Sequence, residues 1–174
     1  MHFCGEIGGK IMVFGSPKQR NTPPSSCYED TWNYLKEAFL EVLYVAEERN
    51  VIIALEPLAR SETNIFTTAE EVIRMINEIS HPNFKLHLDV KAMSDEERPI
   101  PEIIASAREY LTHFHANDPN MLGPGFGEVK YEPIRAALEK IGYERYISVE
   151  VFDYSPGAEV IAEKSIKYLK EIFG

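Results

Sequence analysis

Short apolar runs bounded by turn residues alternate along the chain with longer stretches whose apolar positions recur every three to four residues. These are the two periods expected of strands and helices. Lys10–Gly15 reads as a buried strand closed by Gly15-Ser16-Pro17, and Tyr28–Asn50 as a helix with Leu35, Phe39, Val42 and Ala46 on one apolar face. Val51–Glu56 is the second strand, stopped by Pro57; the next helix is Ala69–Ile79, where Thr68 and Glu71 have capping-box spacing. Phe84–Val90 reads as the third strand, Pro99–Leu111 as a helix and Thr112–Asn117 as the fourth strand. A Pro/Gly-rich loop, Asp118–Gly127, leads into a helix opened by Pro133 and stopped by Gly142. Tyr146–Phe152 is the fifth strand, and Ser155-Pro156 supplies an N-cap and first-turn proline for a last helix reaching Phe173.

Five β/α units in strict alternation predict a parallel sheet with right-handed crossovers. Closing a barrel takes eight units and about 250 residues, whereas this chain has 174. The expected fold class is therefore α/β, a partial (β/α)8 TIM barrel. Residues 1–174 form a single domain in this reading, the C-terminal portion of the barrel, with Met1–Gly9 as the tail of a preceding helix.

Composition narrows the partners. A formal net charge of −10 argues against a nucleic-acid binder, which needs clustered Lys and Arg to neutralise phosphates. Neither a signal-peptide pattern nor a run of about 18 apolar residues occurs, so no membrane contact and a cytoplasmic location are expected. Cys4 and Cys27 have neither CxxC spacing nor a Cys/His cluster and read as inert thiols.

Four strands end in a side chain able to bind metal: Glu56, Asp89, His115 and Glu150, at steps of 33, 26 and 35 residues. Each step approximates one strand-plus-helix unit, and parallel barrel strands aim their C-terminal ends at one mouth. Period-2 alternation puts Ala54 with Glu56, His87 with Asp89, His113 with His115 and Ser148 with Glu150 on shared inward faces. Singly, each acid reads as readily as an ion pair or a helix cap; jointly, three acids at one mouth repel one another unless a cation joins them. Three carboxylates and one imidazole suit Mn²⁺, Mg²⁺ or Co²⁺ better than the nitrogen and sulfur sets of structural zinc, although Zn²⁺ also fits. Such a cation polarises a carbonyl and stabilises an enediolate, with Glu56 or Glu150 moving a proton at the adjacent carbon.

His87 and His113 are expected one inward layer deeper, as hydrogen-bonded interior residues or supports of the ligands. Lys91 reads either as a contact to a substrate oxygen or as a solvated loop lysine. The Gly15–Arg20 segment reads as a surface loop facing the mouth.

The segments Leu55-Glu56-Pro57, Leu88-Asp89-Val90, His113-Phe-His-Ala-Asn-Asp-Pro-Asn120 and Ser148-Val-Glu-Val-Phe152 resemble the xylose-isomerase-like sugar phosphate isomerase/epimerase superfamily, from Gly8 onward. The resemblance is to its ketose 3-epimerases, and it implies that Glu56, Asp89, His115 and Glu150 bind one divalent cation. It further implies that Glu56 and Glu150 are the catalytic proton-transfer residues and that Glu62 contacts substrate. Ala92 and Met121 stand where those enzymes have a histidine and an arginine that hold substrate oxygens. The resemblance thus implies the metal chemistry, acting on a sugar or polyol ketone, without implying a free ketohexose. Two alternatives stand beside it. One is a metal-binding but non-catalytic partial barrel; the other is a metal-dependent apurinic endonuclease, against which five histidines in an acidic chain argue. Open sheet edges predict a homo-oligomer.

Overall fold

Strand and helix alternate through the whole chain as the sequence pattern predicts, and the computed structural model describes residues 1–174. In order, the elements are α1 (His2–Glu6), β1 (Ile11–Phe14), α2 (Tyr28–Glu48), β2 (Ile52–Leu55), α3 (Ala69–Ile79) and β3 (Phe84–Asp89). There follow α4 (Val90–Met93), α5 (Ile100–Ser106), β4 (Leu111–Ala116), α6 (Tyr131–Lys140), β5 (Ile147–Val149) and α7 (Ala158–Phe173). All neighbouring strands are parallel, in the order β1-β2-β3-β4-β5, which makes a half-barrel with β1 and β5 at its edges. No helix is long and apolar enough to cross a membrane.

The outward strand positions form the core. Leu55, Leu86, Leu88 and Phe114 are fully buried in one cluster with Phe39 and Leu43 of α2, Val72 and Met75 of α3, and Ile103 and Ile104 of α5. Burial of this kind is worth roughly 25 cal/mol per Å² of apolar surface and is what holds the helices on the sheet. On α2 the buried face is Trp32, Phe39, Leu43 and Ala46. Leu35 and Val42, expected on that face, line an apolar groove with Met1, Met12, Val13 and Phe14 along the β1 edge, where the sheet ends, and Leu35 still packs against the core.

Several element ends differ from expectation for identifiable reasons. Helix α5 stops at Ser106, because Leu111 pairs with Leu86 in the sheet and a turn at Ala107–Tyr110 must precede it. Helix α6 starts at Tyr131, ahead of Pro133, whose missing N–H falls among the donors that a first turn leaves unpaired anyway. The Ser155-Pro156 pair does not open α7: the Ser155 N–H donates to Asp153 Oδ1 at 2.8 Å, and Gly157 at φ 92° becomes the N-cap. A left-handed φ favours glycine there.

The pairing of β3 with β4 contains an irregularity that shapes the interior. Leu86 pairs with Leu111, but His87 pairs with His113, so Thr112 is an extra residue in β4. A bulge of this kind re-aims the side chains that follow it. Beyond it, Phe114 lies outward beside Leu88, and His113 and His115 lie inward beside His87 and Asp89.

Candidate metal centre

Glu56 follows directly on β2, where Leu55 pairs with Leu86; continuing that register brings Glu56 level with His87. Its N–H donates to the Phe14 carbonyl at 3.1 Å, and its own carbonyl accepts from Arg20 Nη1 at 2.6 Å. Arg20, expected in a surface loop, is only 1% exposed and works as an anchor for the β2 end. Asp89 closes β3 and serves two purposes. Its Oδ1 accepts the Ala92 N–H at 2.9 Å, capping α4, while Oδ2 accepts from Asn117 Nδ2 and lies 4.0 Å from His115 Nδ1. His115 Nδ1 in turn is 3.1 Å from Glu150 Oε2, just past β5.

Glu56, His87, Asp89 and His115 each present one ligand atom, and these atoms all lie within 4.8 Å of one another. Glu150 joins the group from its solvent side, through His115. The expectation for His87 needs correcting. It shares a layer with Glu56, its Nε2 being 3.6 Å from Glu56 Oε1, and neither ring nitrogen makes a hydrogen bond although the side chain is fully buried. Leaving such a group unpaired costs about 1–3 kcal/mol. The reason lies in the stagger of the sheet, which sets β2 one pairing step lower than β4 against β3.

Electrostatics point the same way. No lysine or arginine pairs with the carboxylate of Glu56 or Asp89, both of which are buried. Burial, then the charges of Asp89 and Glu150, push the Glu56 carboxyl up to about 9, with Arg20 and Lys91 opposing. Burial also raises Asp89, against its hydrogen bonds from Ala92 and Asn117. Glu150 is lowered, chiefly by its hydrogen bond with His115. Burial holds His87 well below the usual imidazole range, followed by the neighbouring His115 and His113, with a weak backbone contact to His113 opposing. Two buried acids without a cationic partner, beside a neutral imidazole with free nitrogens, fit a divalent cation.

Lys91 is neither solvated nor free: it is buried, and its Nζ lies 2.9 Å from both oxygens of Glu62 and 4.5 Å from the centre of the Phe152 ring. Glu62, Lys91 and Met121 line a cleft beside the centre, together with Ser61 and Ser94. Ala92 is buried within α4. Asn117, which sequence reasoning did not single out, ties the site together: its Oδ1 accepts the Lys91 N–H at 2.8 Å, and its carbonyl accepts from Tyr131 at 2.7 Å. The one sequence signal for it was its place two residues after His115, at the end of an inward strand.

The family model described as xylose isomerase-like TIM barrel matches residues 1–172. The chain belongs to that family. It is 36% identical over 121 residues to the D-psicose 3-epimerase of Ruminiclostridium cellulolyticum, covering 70% of this chain and 41% of that enzyme. It is 33% identical to the L-ribulose 3-epimerase of a Methylomonas species, over 86% of this chain and 49% of the relative. The solved D-psicose 3-epimerase with D-tagatose from Clostridium cellulolyticum H10 superposes with a TM-score of 0.85 at 25% identity, over 98% of this chain and 66% of that one. The chain therefore spans less than half the length of these two curated relatives.

Proposed function

We propose that this protein is a divalent-metal-dependent sugar isomerase or epimerase, with Glu56, Asp89, His115 and Glu150 as metal ligands and Glu56 and Glu150 as the proton-transfer pair. The observation that carries the reading is the convergence of buried Glu56 and Asp89 with His87 and His115, their ligand atoms all within 4.8 Å of one another, and with no lysine or arginine at either carboxylate. A divalent cation held there supplies Lewis acidity toward a substrate carbonyl and alcohol oxygen. Asp89, locked by Ala92 and Asn117, keeps its carboxylate aimed at the centre. Glu56 on the buried side and Glu150 on the solvent side bring two carboxyl groups to the centre, which suits one to take the proton next to a carbonyl and the other to return it. Relatives named as D-psicose and L-ribulose 3-epimerases support an epimerisation of this kind. Because the charge of Lys91 is committed to Glu62, the cleft fits the hydroxyls of a neutral sugar or polyol ketone better than a phosphate.

The test is incubation of the metal-loaded protein with ketoses in D₂O. Deuterium should appear at the carbon beside the carbonyl. Turnover without solvent exchange would remove the two glutamates as proton carriers and leave a metal-assisted hydride shift. Metal binding without turnover of any ketose would favour the second reading, a metal-binding half-barrel whose open side leaves the substrate without a wall.

A further inference from the structure

The metal centre lies at the C-terminal ends of the strands, and a second cleft, which has no part in it, lies at their N-terminal ends. This cleft measures about 320 Å³, at the small end of the range for small-molecule sites. Lys85 of β3, Arg108 from the turn before β4 and Arg145 from the turn before β5 line it. None of these three cations has a carboxylate oxygen within 4.0 Å, although Glu109 and Glu144 also line the cleft. Thr112, the extra residue that the bulge inserts into β4, belongs to the same lining. It is 2% exposed, and its Oγ1 makes no hydrogen bond. A buried hydroxyl left without a partner is costly, whereas an apolar group of the same shape would not be. The bulge thus presents to the cleft a donor whose acceptor the chain does not supply.

Three unpaired cations beside one unpartnered hydroxyl call for an anion with several oxygens. A carboxylate carries one charge, which a single arginine satisfies; a phosphate monoester carries nearly two charges on three strong acceptor oxygens and matches the larger set. The half-buried rings of Tyr110 and Tyr143 offer apolar faces to the carbon skeleton of such an ester. We infer that this cleft binds a small phosphate monoester, with Lys85, Arg108 and Arg145 as the cations at its phosphate and Thr112 Oγ1 as a hydroxyl donor. Lys85 precedes Asp89 by four residues on β3, about 13 Å at the rise of a strand. The ester therefore occupies the opposite end of the sheet and does not compete with a neutral sugar at the metal centre.

Calorimetric titration of the 174-residue protein with glycerol 3-phosphate tests this independently of the metal centre when chelator is present, at about 0.15 M salt to screen diffuse attraction. Saturable binding of one ester per chain is expected; no binding overturns the inference. Inorganic phosphate should bind at least about threefold more weakly, for want of the carbons that the tyrosines cover. Equal affinity would make the free ion the ligand and overturn the ester assignment. Arg108→Gln with Arg145→Gln should weaken ester binding at least about tenfold. Lys167→Gln with Lys170→Gln, the same loss of charge on the exposed side of α7, should change it less than about twofold. Equal losses in the two double variants would reduce the effect to net charge and overturn the inference. Thr112→Val, which removes only the unpartnered hydroxyl, should keep the melting temperature and weaken ester binding about fivefold. Retained affinity in that variant would overturn it as well.

Discussion

The main chain at Gly15 runs against the carboxylate of Glu56: a Cβ at position 15 would lie 1.7 Å from Glu56 Oε2. The end of β1 has therefore left room for a side chain of the next strand, and only glycine leaves that room. The atom met is the far end of a flexible side chain, so substitution should move the carboxylate and spare the backbone. Gly15→Ala is expected to weaken Co²⁺ or Mn²⁺ binding at least about tenfold while changing stability by less than about 1 kcal/mol. Calorimetry and thermal melts of the two proteins measure both. Unchanged affinity would mean that Glu56 does not reach the cation.

Asn117 holds two residues of the site at once with its side chain, Nδ2 donating to Asp89 Oδ2 and Oδ1 accepting the Lys91 N–H. Truncation in Asn117→Ala frees Asp89 to rotate and strands a buried N–H. Metal affinity should fall about 10- to 100-fold, and stability by about 1–3 kcal/mol. A variant that lost stability but bound metal normally would show that Asn117 supports the loop and not the ligand.

What the sequence made legible, and what it did not, follows from the range of the interactions. Alternation along β2, β3 and β4 identifies which side chains face inward, because the period of a strand is local. The convergence of Glu56, Asp89 and His115 at one end is likewise a consequence of parallel strands alone. The level of His87 against Glu56 is not local; it depends on how β2 is staggered on β3. Nor does the bulge at Thr112 have a signature in its neighbours, since Leu111 and Thr112 are ordinary strand residues. Arg20 was misread for a related reason. A charged residue in a Ser/Pro/Lys loop suggests solvent, yet its Nη1 is held by the carbonyl of Glu56, 36 residues away. Strand β5 is shorter than the apolar run around it, as it pairs only with β4 and leaves Tyr146 and Phe152 exposed.

The raised Glu56 carboxyl sets a pH dependence whose sign is fixed. Without metal, the folded chain keeps a proton on Glu56 up to about 9, which the unfolded chain loses near the ordinary 4.5. The folded state then binds more protons, so stability is greatest below the unfolded value and falls as pH rises through this window, by at most about 1.4 kcal/mol per pH unit. A cation binds the ionised carboxylate and should cancel the decline. Urea melts at pH 7.5 and pH 8.5 (~1 unit apart), above the range in which His87 and His113, both lowered by burial, oppose the trend, with chelator and with Mn²⁺, test this through the linkage relation. Metal titrations near neutral pH, run in buffers of different ionisation enthalpy, should report release of about one proton. Chelated protein whose midpoint is the same at both pH values would show that Glu56 is already ionised.

The two sheet edges carry the last prediction. Along β1 the groove between Met12, Val13 and Phe14 and the flank of α2 is apolar, and Met12 and Val42 in it are exposed. An uncovered parallel edge offers unpaired N–H and C=O groups beside that apolar strip, which is the surface another strand would seek. Covering it is worth roughly 25 cal/mol per Å² of apolar area, so the 174-residue chain should self-associate, either by pairing two half-barrels or as larger species. Light scattering on purified protein should give a mass of at least two chains across the micromolar range. Met12→Lys together with Val42→Glu, which put charge on the strip without touching the metal residues, should shift the population toward monomer and leave metal binding intact. A wild-type chain that is monomeric and melts cooperatively would mean that this groove is stable in water, and the edge would then have no part in assembly.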